Sequence, residues 1–244
     1  MALSHFRPVS AHARALYAKG RAILKRRATH ALIPAVAAAC AVFAAPALAH
    51  PHVFAEASLE VAVDASGNVE ALRHVWRFDD LFSSTVLIEF DANADLELDA
   101  AELETVGSVI HESLAEFGYF QIVTADGKDV EMQAPERIVA DFQDNQLIVL
   151  FESRPAQPLK LDGTVDFGIY DPTFYTAIDF YEDEQLMVSD LPSGCTRAVI
   201  RPDPDEAIAM NQQSLTDAFF NDPGGNDMSK IFATRLEVSC PHRG

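Results

Sequence analysis

The sequence predicts an α+β fold: a mostly antiparallel, β-sandwich-like core with an inserted helix-loop-helix, EF-hand-like unit at about residues 83–117. Many short segments alternate apolar and polar residues and are separated by Gly, Pro, Asp or Asn, which is typical of strands joined by turns. Residues 83–117 instead carry apolar residues at helical spacing around an acidic loop. Because this stretch lies between strand segments, we expect one sheet-based domain that contains a helical insertion.

The first 49 residues have the features of an export signal. Seven basic residues precede an apolar run at Ala31–Ala45, and Ala47-Leu48-Ala49 places small residues where signal peptidase cleaves. The apolar run is too short for a comfortable membrane span. We therefore expect residues 1–49 to be removed and residues 50–244 to form a single periplasmic domain that does not span the membrane.

The chain that remains after cleavage would be strongly acidic. The whole sequence has 18 Lys and Arg against 37 Asp and Glu, and the signal contains seven of the basic residues and none of the acidic ones. Residues 50–244 thus have 11 basic against 37 acidic residues, a formal charge of −26. Such a surface excludes non-specific binding to nucleic acid or to an anionic membrane, and it attracts cations.

The first elements follow from alternation and from capping residues. Apolar residues alternate from Val53, and the turn residues 64–68 separate them from a second strand that ends at Phe78, so 53–78 is predicted to be a hairpin. Ser83-Ser84 could cap a short helix that ends at Phe90. A longer helix is predicted from Ala100 to Phe117, with one apolar face.

The rest of the chain is predicted to be mainly strands. A helical stretch near Pro204–Phe220 interrupts them. The predicted strands are Tyr119–Thr124, Val130–Gln133, Ile138–Phe142, Leu147–Glu152, Thr164–Tyr170, Phe174–Tyr181, Leu186–Ser189 and Ile231–Ser239.

Two cysteines remain after the signal, Cys195 and Cys240. An even number of cysteines in an exported chain predicts a disulfide. The bond would close a loop of about 45 residues and stabilise the fold by roughly 3–4 kcal/mol in the chain-entropy model. The two residues lack the close spacing of a zinc site.

His50-Pro51-His52 stands directly after the predicted cleavage site. His50 would then offer an α-amine and an imidazole, and His52 a second imidazole, all of which bind zinc, copper or nickel when deprotonated. Pro51 has no N–H, which excludes an amino-terminal copper or nickel site built on deprotonated amides. Three interpretations stay open: a conventional site, a brace made by the His50 amine and ring, and solvated histidines at a frayed end.

Further ligands for a conventional site come from three other segments. His74 lies in the second strand of the predicted hairpin, which can run beside the first, and Asp79 follows it. Asp171 lies in an aromatic-flanked Asp-Pro turn, which by itself is the ordinary sequence of a tight turn. Histidine and carboxylate ligands suit Zn²⁺, and also Ni²⁺, Co²⁺ or Cu²⁺.

The acidic segment 91–102 matches the spacing of a calcium-binding loop between two helices. Leu96 occupies the sixth position, where the motif has Gly. Either this residue adopts a positive φ, at a cost of roughly 1–2 kcal/mol, or the loop is bent differently. A structural Ca²⁺ site and an acidic loop that has lost its affinity both remain open. The oxygen-bearing residues of the loop are Asp91, Asn93, Asp95, Glu97, Asp99 and Glu102.

Catalytic signatures are absent from the sequence. It contains no G-x-S-x-G, no H-E-x-x-H and no phosphate-binding loop. We therefore predict a binding protein rather than an enzyme.

Residues 50–240 contain a series of motifs in a characteristic order: His50–Phe54, Trp76–Ser83, the loop 91–102, Gly118–Phe120, Tyr170–Tyr175, and Gly194-Cys195 with a late cysteine. Taken together, these motifs resemble a bacterial family of exported proteins of unknown function. Members of that family accompany, or are fused to, NicO-type nickel/cobalt permeases, and some serve zinc uptake. The resemblance implies a periplasmic role in transition-metal handling, mainly of zinc, with an inner-membrane permease as partner, and it assigns no ligands.

The sequence thus leads to one main hypothesis and two alternatives. In the main hypothesis the protein binds Zn²⁺, or Ni²⁺ or Co²⁺, and supplies it to a NicO-type permease. The first alternative is a copper protein with a His50 brace. The second is a calcium-stabilised interaction domain.

Overall fold

The computed structural model describes residues 52–221 and 229–242, so the predicted signal peptide and His50 lie outside the described residues. These residues form three α-helices and eleven strands. The helices are α1 (Asp80–Phe90), α2 (Ala100–Ala115) and α3 (Pro204–Asn221). The strands are β1 (Val53–Val63), β2 (Val69–Phe78), β3 (Gln121–Ala125), β4 (Lys128–Asp129), β5 (Ile138–Gln143), β6 (Gln146–Ser153), β7 (Gly163–Ile169), β8 (Thr176–Asp179), β9 (Leu186–Ser189), β10 (Thr196–Ile200) and β11 (Arg235–Cys240).

The strands form two sheets. The first has the order β5-β6-β2-β1-β8, with β9 also paired to β1, and the second has the order β10-β11-β7-β3-β4. Every strand pair is antiparallel except those of β1 with β8 and β9. Large apolar side chains of both sheets, such as Trp76, Phe167 and Leu236, are buried in one core. The predicted α+β class and the mostly antiparallel pairing are confirmed.

The first hairpin forms as its alternation predicts. Alternate residues of β1 from Val53 to Val61 are buried, and β2 pairs with β1 over almost its whole length. In the turn, the Asp64 carboxylate accepts hydrogen bonds from the N–H groups of Ser66 and Asn68. Gly67 supplies the positive φ (83°) that closes this turn.

Helix α1 begins earlier than the sequence predicted. Asp79, not Ser83 or Ser84, is its N-cap, and its carboxylate accepts from the N–H groups of Leu81 and Phe82. Ser83 is buried instead, and its hydroxyl accepts a hydrogen bond from the Leu147 N–H of β6 at 2.9 Å. The Ser83 hydroxyl therefore accepts from a backbone N–H of the first sheet and does not cap α1.

Helix α2 packs against the edge strand β5. Gly107 permits the contact, because a Cβ added there would lie 2.4 Å from the Ile138 carbonyl oxygen. At the start of α2, Asp99 and Glu102 form a capping box. The helix ends at Ala115, two residues before the predicted end.

A left-handed turn replaces the predicted start of the third strand. Gly118, Tyr119 and Phe120 all have positive φ, between 57° and 59°, so β3 begins only at Gln121. Both aromatic side chains are buried, and this burial offsets the strain of the backbone.

Several other strand predictions were misplaced. The predicted strand at Val130–Gln133 is irregular, and β4 consists of the two residues before it. The strand predicted from Phe174 begins at Thr176, because Phe174 has a φ of 59°. The last strand begins at Arg235, since the preceding residues Ser229–Phe232 form a short 3₁₀ turn. Strand β10 had no predicted counterpart.

A disulfide and two arginines hold the region around β10. Cys195 and Cys240 are bonded, with an Sγ–Sγ distance of 2.01 Å, as the cysteine count predicted. Arg197 donates to the Leu186 carbonyl oxygen, and Arg201 donates to that of Phe180, both at 2.6 Å. Strand β10 of the second sheet thereby contacts the β8–β9 segment of the first.

Among the described residues, none of the helices combines the length and apolarity that a membrane crossing requires.

Candidate functional site

The structure places His52 at the start of β1, beside the loop that precedes β8. The His52 N–H donates to the Tyr175 carbonyl oxygen at 2.8 Å, and Val53 pairs with Thr176. The His52 side chain is exposed, and its ring centroid lies 5.1 Å from that of Tyr175. His50 precedes this position by two residues, outside the described part of the chain.

Asp171 organises the loop that holds His52. Its carboxylate is almost fully buried and accepts three hydrogen bonds. Oδ1 accepts from the Thr173 N–H and hydroxyl, both at 2.7 Å, and Oδ2 accepts from the Thr176 N–H at 2.8 Å. These bonds fold residues 171–176 so that the Tyr175 carbonyl points at β1. Asp171 therefore acts first as a structural residue of this end of the sheet.

Asp79 occupies the other side of β1. Its Oδ2 accepts from the Phe54 N–H at 2.8 Å, and its own N–H donates to the Phe54 carbonyl oxygen at 2.9 Å. Its Oδ1 caps α1. The beginning of β1 thus lies between Asp79 on the β2 side and the Asp171 loop on the β8 side. The structure brings His52, Asp79 and Asp171 to one end of the first sheet.

The two carboxylates are largely occupied by the backbone. An ionised carboxylate has about four acceptor positions, and Asp79 and Asp171 each use three. Asp79, which is half-buried, keeps one position for a cation, whereas Asp171 is only 4% exposed and offers little of its carboxylate to a cation from solvent. Within residues 52–221 and 229–242, no three or more His, Cys, Asp or Glu side chains are arranged to hold a metal ion. A complete site at this end would therefore need a donor from outside these residues, and His50 is the nearest in sequence.

His74 does not lie near His52. It pairs with Leu59, seven positions along β1 from His52, which is about 23 Å at the rise of a strand. It also lies on the opposite face, because its side chain points between the two sheets and is 1% exposed. The two histidines cannot bind one metal ion in this structure.

The surroundings of His74 are those of a core residue. Its ring stacks on Phe151 and meets the edge of Trp76, with centroid distances of 4.3 and 6.1 Å. Burial lowers the pKa of His74 to about 3, and the nearby Gln121 amide opposes this shift only in part. Neither ring nitrogen has a hydrogen-bond partner of ordinary geometry among the described residues. The ring is therefore neutral at physiological pH.

A signal for this role was present in the sequence. Leu72, His74, Trp76 and Phe78 occupy alternate positions of one strand, and all four are buried. The alternation that predicted the strand also predicts that its histidine faces the core.

The acidic loop between α1 and α2 adopts a tight conformation. Leu96 has a φ of 65°, as its position in the motif requires, and Ala94 has a φ of 61°. The Asp91 carboxylate accepts from the N–H groups of Asp95 and Leu96, at 3.1 and 2.8 Å. Asn93 also accepts from the Asp95 N–H.

Glu102 closes the same loop from the first turn of α2. Its Oε1 accepts from the Ala92 N–H at 2.8 Å and its Oε2 from the Asp99 N–H at 2.9 Å. Asp99 caps α2, and the Glu97 N–H donates to Asp95. The predicted ligands thus bind backbone N–H groups of their own loop.

Two surface clefts lie away from the His52 end. One, of about 510 Å³, lies between α2 and β5, and the other, of about 530 Å³, lies over β2, β6 and the segment before β5. Neither is lined by His52, Asp79 or Asp171. Neither cleft therefore includes the His52 end, and the His52 side chain itself is exposed.

Comparison with known proteins identifies a family without a described function. The sequence profile described as "Protein of unknown function (DUF1007)" matches residues 35–240. An uncharacterized protein of Haemophilus influenzae (strain ATCC 51907 / DSM 11121 / KW20 / Rd) is 24% identical over 195 residues, which cover 79% of this chain and 92% of the relative. Neither description names a ligand, a substrate or a partner.

Proposed function

The chain belongs to the DUF1007 family of proteins of unknown function, and we propose that it is a periplasmic accessory protein that binds a transition metal, mainly Zn²⁺. It passes the metal to an inner-membrane permease of the NicO type, the partner that the sequence resemblance implies. It acts by binding and release rather than by catalysis.

The position of His52 between Asp79 and Asp171 supports this proposal. An exposed imidazole stands at the end of the first sheet, with the half-buried Asp79 carboxylate on one side of β1 and the buried Asp171 carboxylate on the other. Imidazole and carboxylate ligands suit zinc. If the chain begins at His50, this residue adds a second imidazole and an α-amine two positions away.

The exposure of this end suits a carrier. A metal held by a few ligands at the surface keeps open coordination positions, through which a second set of ligands can displace the first. The acidic surface raises the local concentration of cations, whatever their identity. Selection among Zn²⁺, Ni²⁺, Co²⁺ and Cu²⁺ then follows from ligand type and geometry rather than from charge.

The test is zinc binding by the chain that begins at His50. We expect one zinc per chain by native mass spectrometry, and a loss of affinity of at least about tenfold in the double variant His50→Ala/His52→Ala, measured by competition with a chromophoric chelator. His242→Ala is the matched control, because His242 is an exposed histidine that pairs with Asp162 instead. Full zinc affinity in the double variant would overturn the ligand assignment.

A second function is supported by the acidic loop. Its backbone adopts the positive φ at Leu96 that a calcium-binding loop requires, and Glu102 closes the loop from its twelfth position. We propose that Ca²⁺ stabilises this helix-loop-helix, EF-hand-like unit without taking part in transition-metal binding. Calcium-dependent melting of the protein tests this second function.

A further inference from the structure

The cleft of about 530 Å³ over β2 and β6 has a continuous apolar row in its lining. The row crosses three neighbouring strands, because Val75 of β2 pairs with Leu150 of β6, and Leu150 pairs with Val139 of β5. Side chains at opposed positions of antiparallel strands lie on one face, about 5 Å apart. Val75 is 39% exposed and Val139 is 42% exposed, so the row is open to solvent on the outer face of the first sheet.

The same cleft is unusually rich in basic residues for so acidic a chain. Residues 50–244 have 11 basic against 37 acidic residues, and three of the basic ones line this cleft: Arg73 of β2, Arg137 directly before β5, and Arg154 directly after β6. Three carboxylates line it as well, those of Glu60, Glu136 and Glu152. The cleft is therefore formally neutral in a domain of formal charge −26. Because charges beyond about 10 Å are largely screened at physiological salt, an anion is repelled less here than over the average surface.

Ion pairs orient two of the three arginines and leave most of their donors available. Arg73 donates to Glu152 and Glu60 at 3.2 and 3.3 Å, and Arg154 donates to the other oxygen of Glu152 at 2.8 Å. A guanidinium has five N–H groups, of which Arg73 uses two and Arg154 one for these bonds. Arg137 is exposed and has no ion pair or side-chain hydrogen bond within the part of the chain that the structure describes. The planar N–H fork of arginine binds a carboxylate through two hydrogen bonds.

We propose that this cleft binds a small organic anion that combines a carboxylate with an apolar body. The carboxylate would accept hydrogen bonds from the arginines, Arg137 above all, and the apolar body would cover the row from Val75 to Val139. The cleft volume of about 530 Å³ lies within the range of about 300–1,000 Å³ that small-molecule sites occupy. A second copy of this chain fits less well, because it brings its own strong negative charge.

This binding does not depend on the proposed metal site. None of His52, Asp79 and Asp171 lines the cleft. The anion-binding proposal and the zinc proposal can therefore fail separately.

The experiment uses octanoate as the probe and the chain from His50 onward, with ¹³C-labelled Val and Leu methyl groups, as the target. We expect saturable chemical-shift changes at Val75, Leu150 and Val139, with a Kd below about 1 mM. Acetate lacks the apolar body and octanamide lacks the charge. Each should bind at least about tenfold more weakly than octanoate.

The variant Arg137→Gln should weaken octanoate binding at least about tenfold, because it removes the guanidinium that no carboxylate of the cleft engages. The matched control is Lys128→Gln, which also removes one positive charge, but from β4 in the second sheet and away from the cleft lining. Its affinity for octanoate should stay within about twofold of that of the unsubstituted chain. Both side chains are exposed, so both variants should fold.

Three results would overturn the inference. The first is the absence of shift changes at the three row residues. The second is equal weakening by the two variants, or equal binding of octanoate and octanamide, because either net charge or apolarity alone would then account for binding. The third is a Leu/Glu peptide that shifts the same methyl groups at a concentration at least about tenfold lower than octanoate, because the cleft would then be a docking site for an acidic protein segment.

Discussion

His74 lies face to face with Phe151 in the interior between the two sheets, with ring centroids 4.3 Å apart and planes 8° from parallel. A histidine in this environment must stay neutral, because the protonated ring would be a buried charge without a partner. The burial of His74 therefore makes the stability of the protein depend on pH; it does not make His74 a metal ligand.

The first prediction concerns this pH dependence. The pKa of His74 is about 3 in the folded protein, against an ordinary value of 6.5, so below pH 6.5 the unfolded chain binds a proton that the folded chain does not. The proton-linked cost of His74 is therefore absent well above pH 6.5, and stability falls as the pH drops through 6.5 towards 3. Between about pH 7.5 and pH 5 the loss is roughly 2 kcal/mol.

His74→Leu should remove this part of the pH dependence. Leu has no titratable group, and it leaves no buried ring nitrogen without a hydrogen-bond partner. The free energy of unfolding in urea is measured for both proteins at several pH values. The difference between the two proteins at each pH gives the contribution of His74, because the contributions of the carboxylates that they share cancel. Parallel pH profiles would show that His74 is not buried as a neutral ring.

The second prediction concerns Asp171. Asp171→Ala removes an almost fully buried carboxylate that accepts three hydrogen bonds within its own loop. We expect a loss of about 2–4 kcal/mol in the free energy of unfolding, because three donors lose a charged acceptor. Glu89→Ala, which changes an exposed carboxylate on α1, should cost less than about 0.5 kcal/mol. Equal effects of the two substitutions would contradict the structural role of Asp171.

The third prediction tests the contact of α2 with β5. Gly107→Ala should raise helix propensity by roughly 1 kcal/mol, but its Cβ would lie 2.4 Å from the backbone oxygen of Ile138. Neither backbone can move away cheaply, so we expect a net loss of about 1–3 kcal/mol, as for overpacked cores. Ser108→Ala, at the next and exposed position, is the control and should be neutral or slightly stabilising. Thermal and urea unfolding measure the stability of both variants. Stabilisation by Gly107→Ala would show that α2 and β5 lie further apart than the structure places them.

The elements that the sequence predicted well are those fixed by local patterns. Alternation predicted β1 and β2, and the turn residues 64–68 between them were placed correctly. The start of α1 was missed because both Asp79 and Ser83 are good caps, and only the contact of Ser83 with Leu147 of β6 decides between them. Strand β10 was missed because its residues are mostly exposed and show no alternation.

The candidate site was less predictable, since it depends on pairing between distant segments. The parallel pairing of β1 with β8 places the Asp171 loop beside His52, and no local pattern encodes it. His74 was interpreted by its chemistry rather than by the face of β2 on which it lies, although the alternation of Leu72 and Trp76 carried that information.

The fourth prediction concerns calcium. Leu96 is 72% exposed and has a φ of 65°, so Leu96→Gly removes backbone strain of roughly 1–2 kcal/mol and little packing. Calcium should therefore raise the melting temperature of Leu96→Gly by more than that of the unsubstituted chain. Asp91→Asn is the control, because it removes one carboxylate and should reduce the rise. No calcium-dependent change in any of the three proteins would exclude the calcium-binding function.

The fifth prediction distinguishes zinc binding by imidazoles from a copper brace. Adding one Gly before His50 keeps both imidazoles and moves the α-amine away from the His50 ring. If the imidazoles of His50 and His52 are the main zinc ligands, zinc affinity should change by less than about threefold, or roughly 0.7 kcal/mol. A brace needs the amine and ring of the same residue, so a copper site of that kind would be lost.

The measurements are zinc competition with a chelator and the electron-spin spectrum of the Cu²⁺-loaded protein, each with and without the added Gly. Zinc binding that survives, together with a copper spectrum that does not change, supports the imidazole site. A copper spectrum that disappears on extension, with zinc affinity reduced to a similar degree, would instead assign this end of the protein to a copper brace.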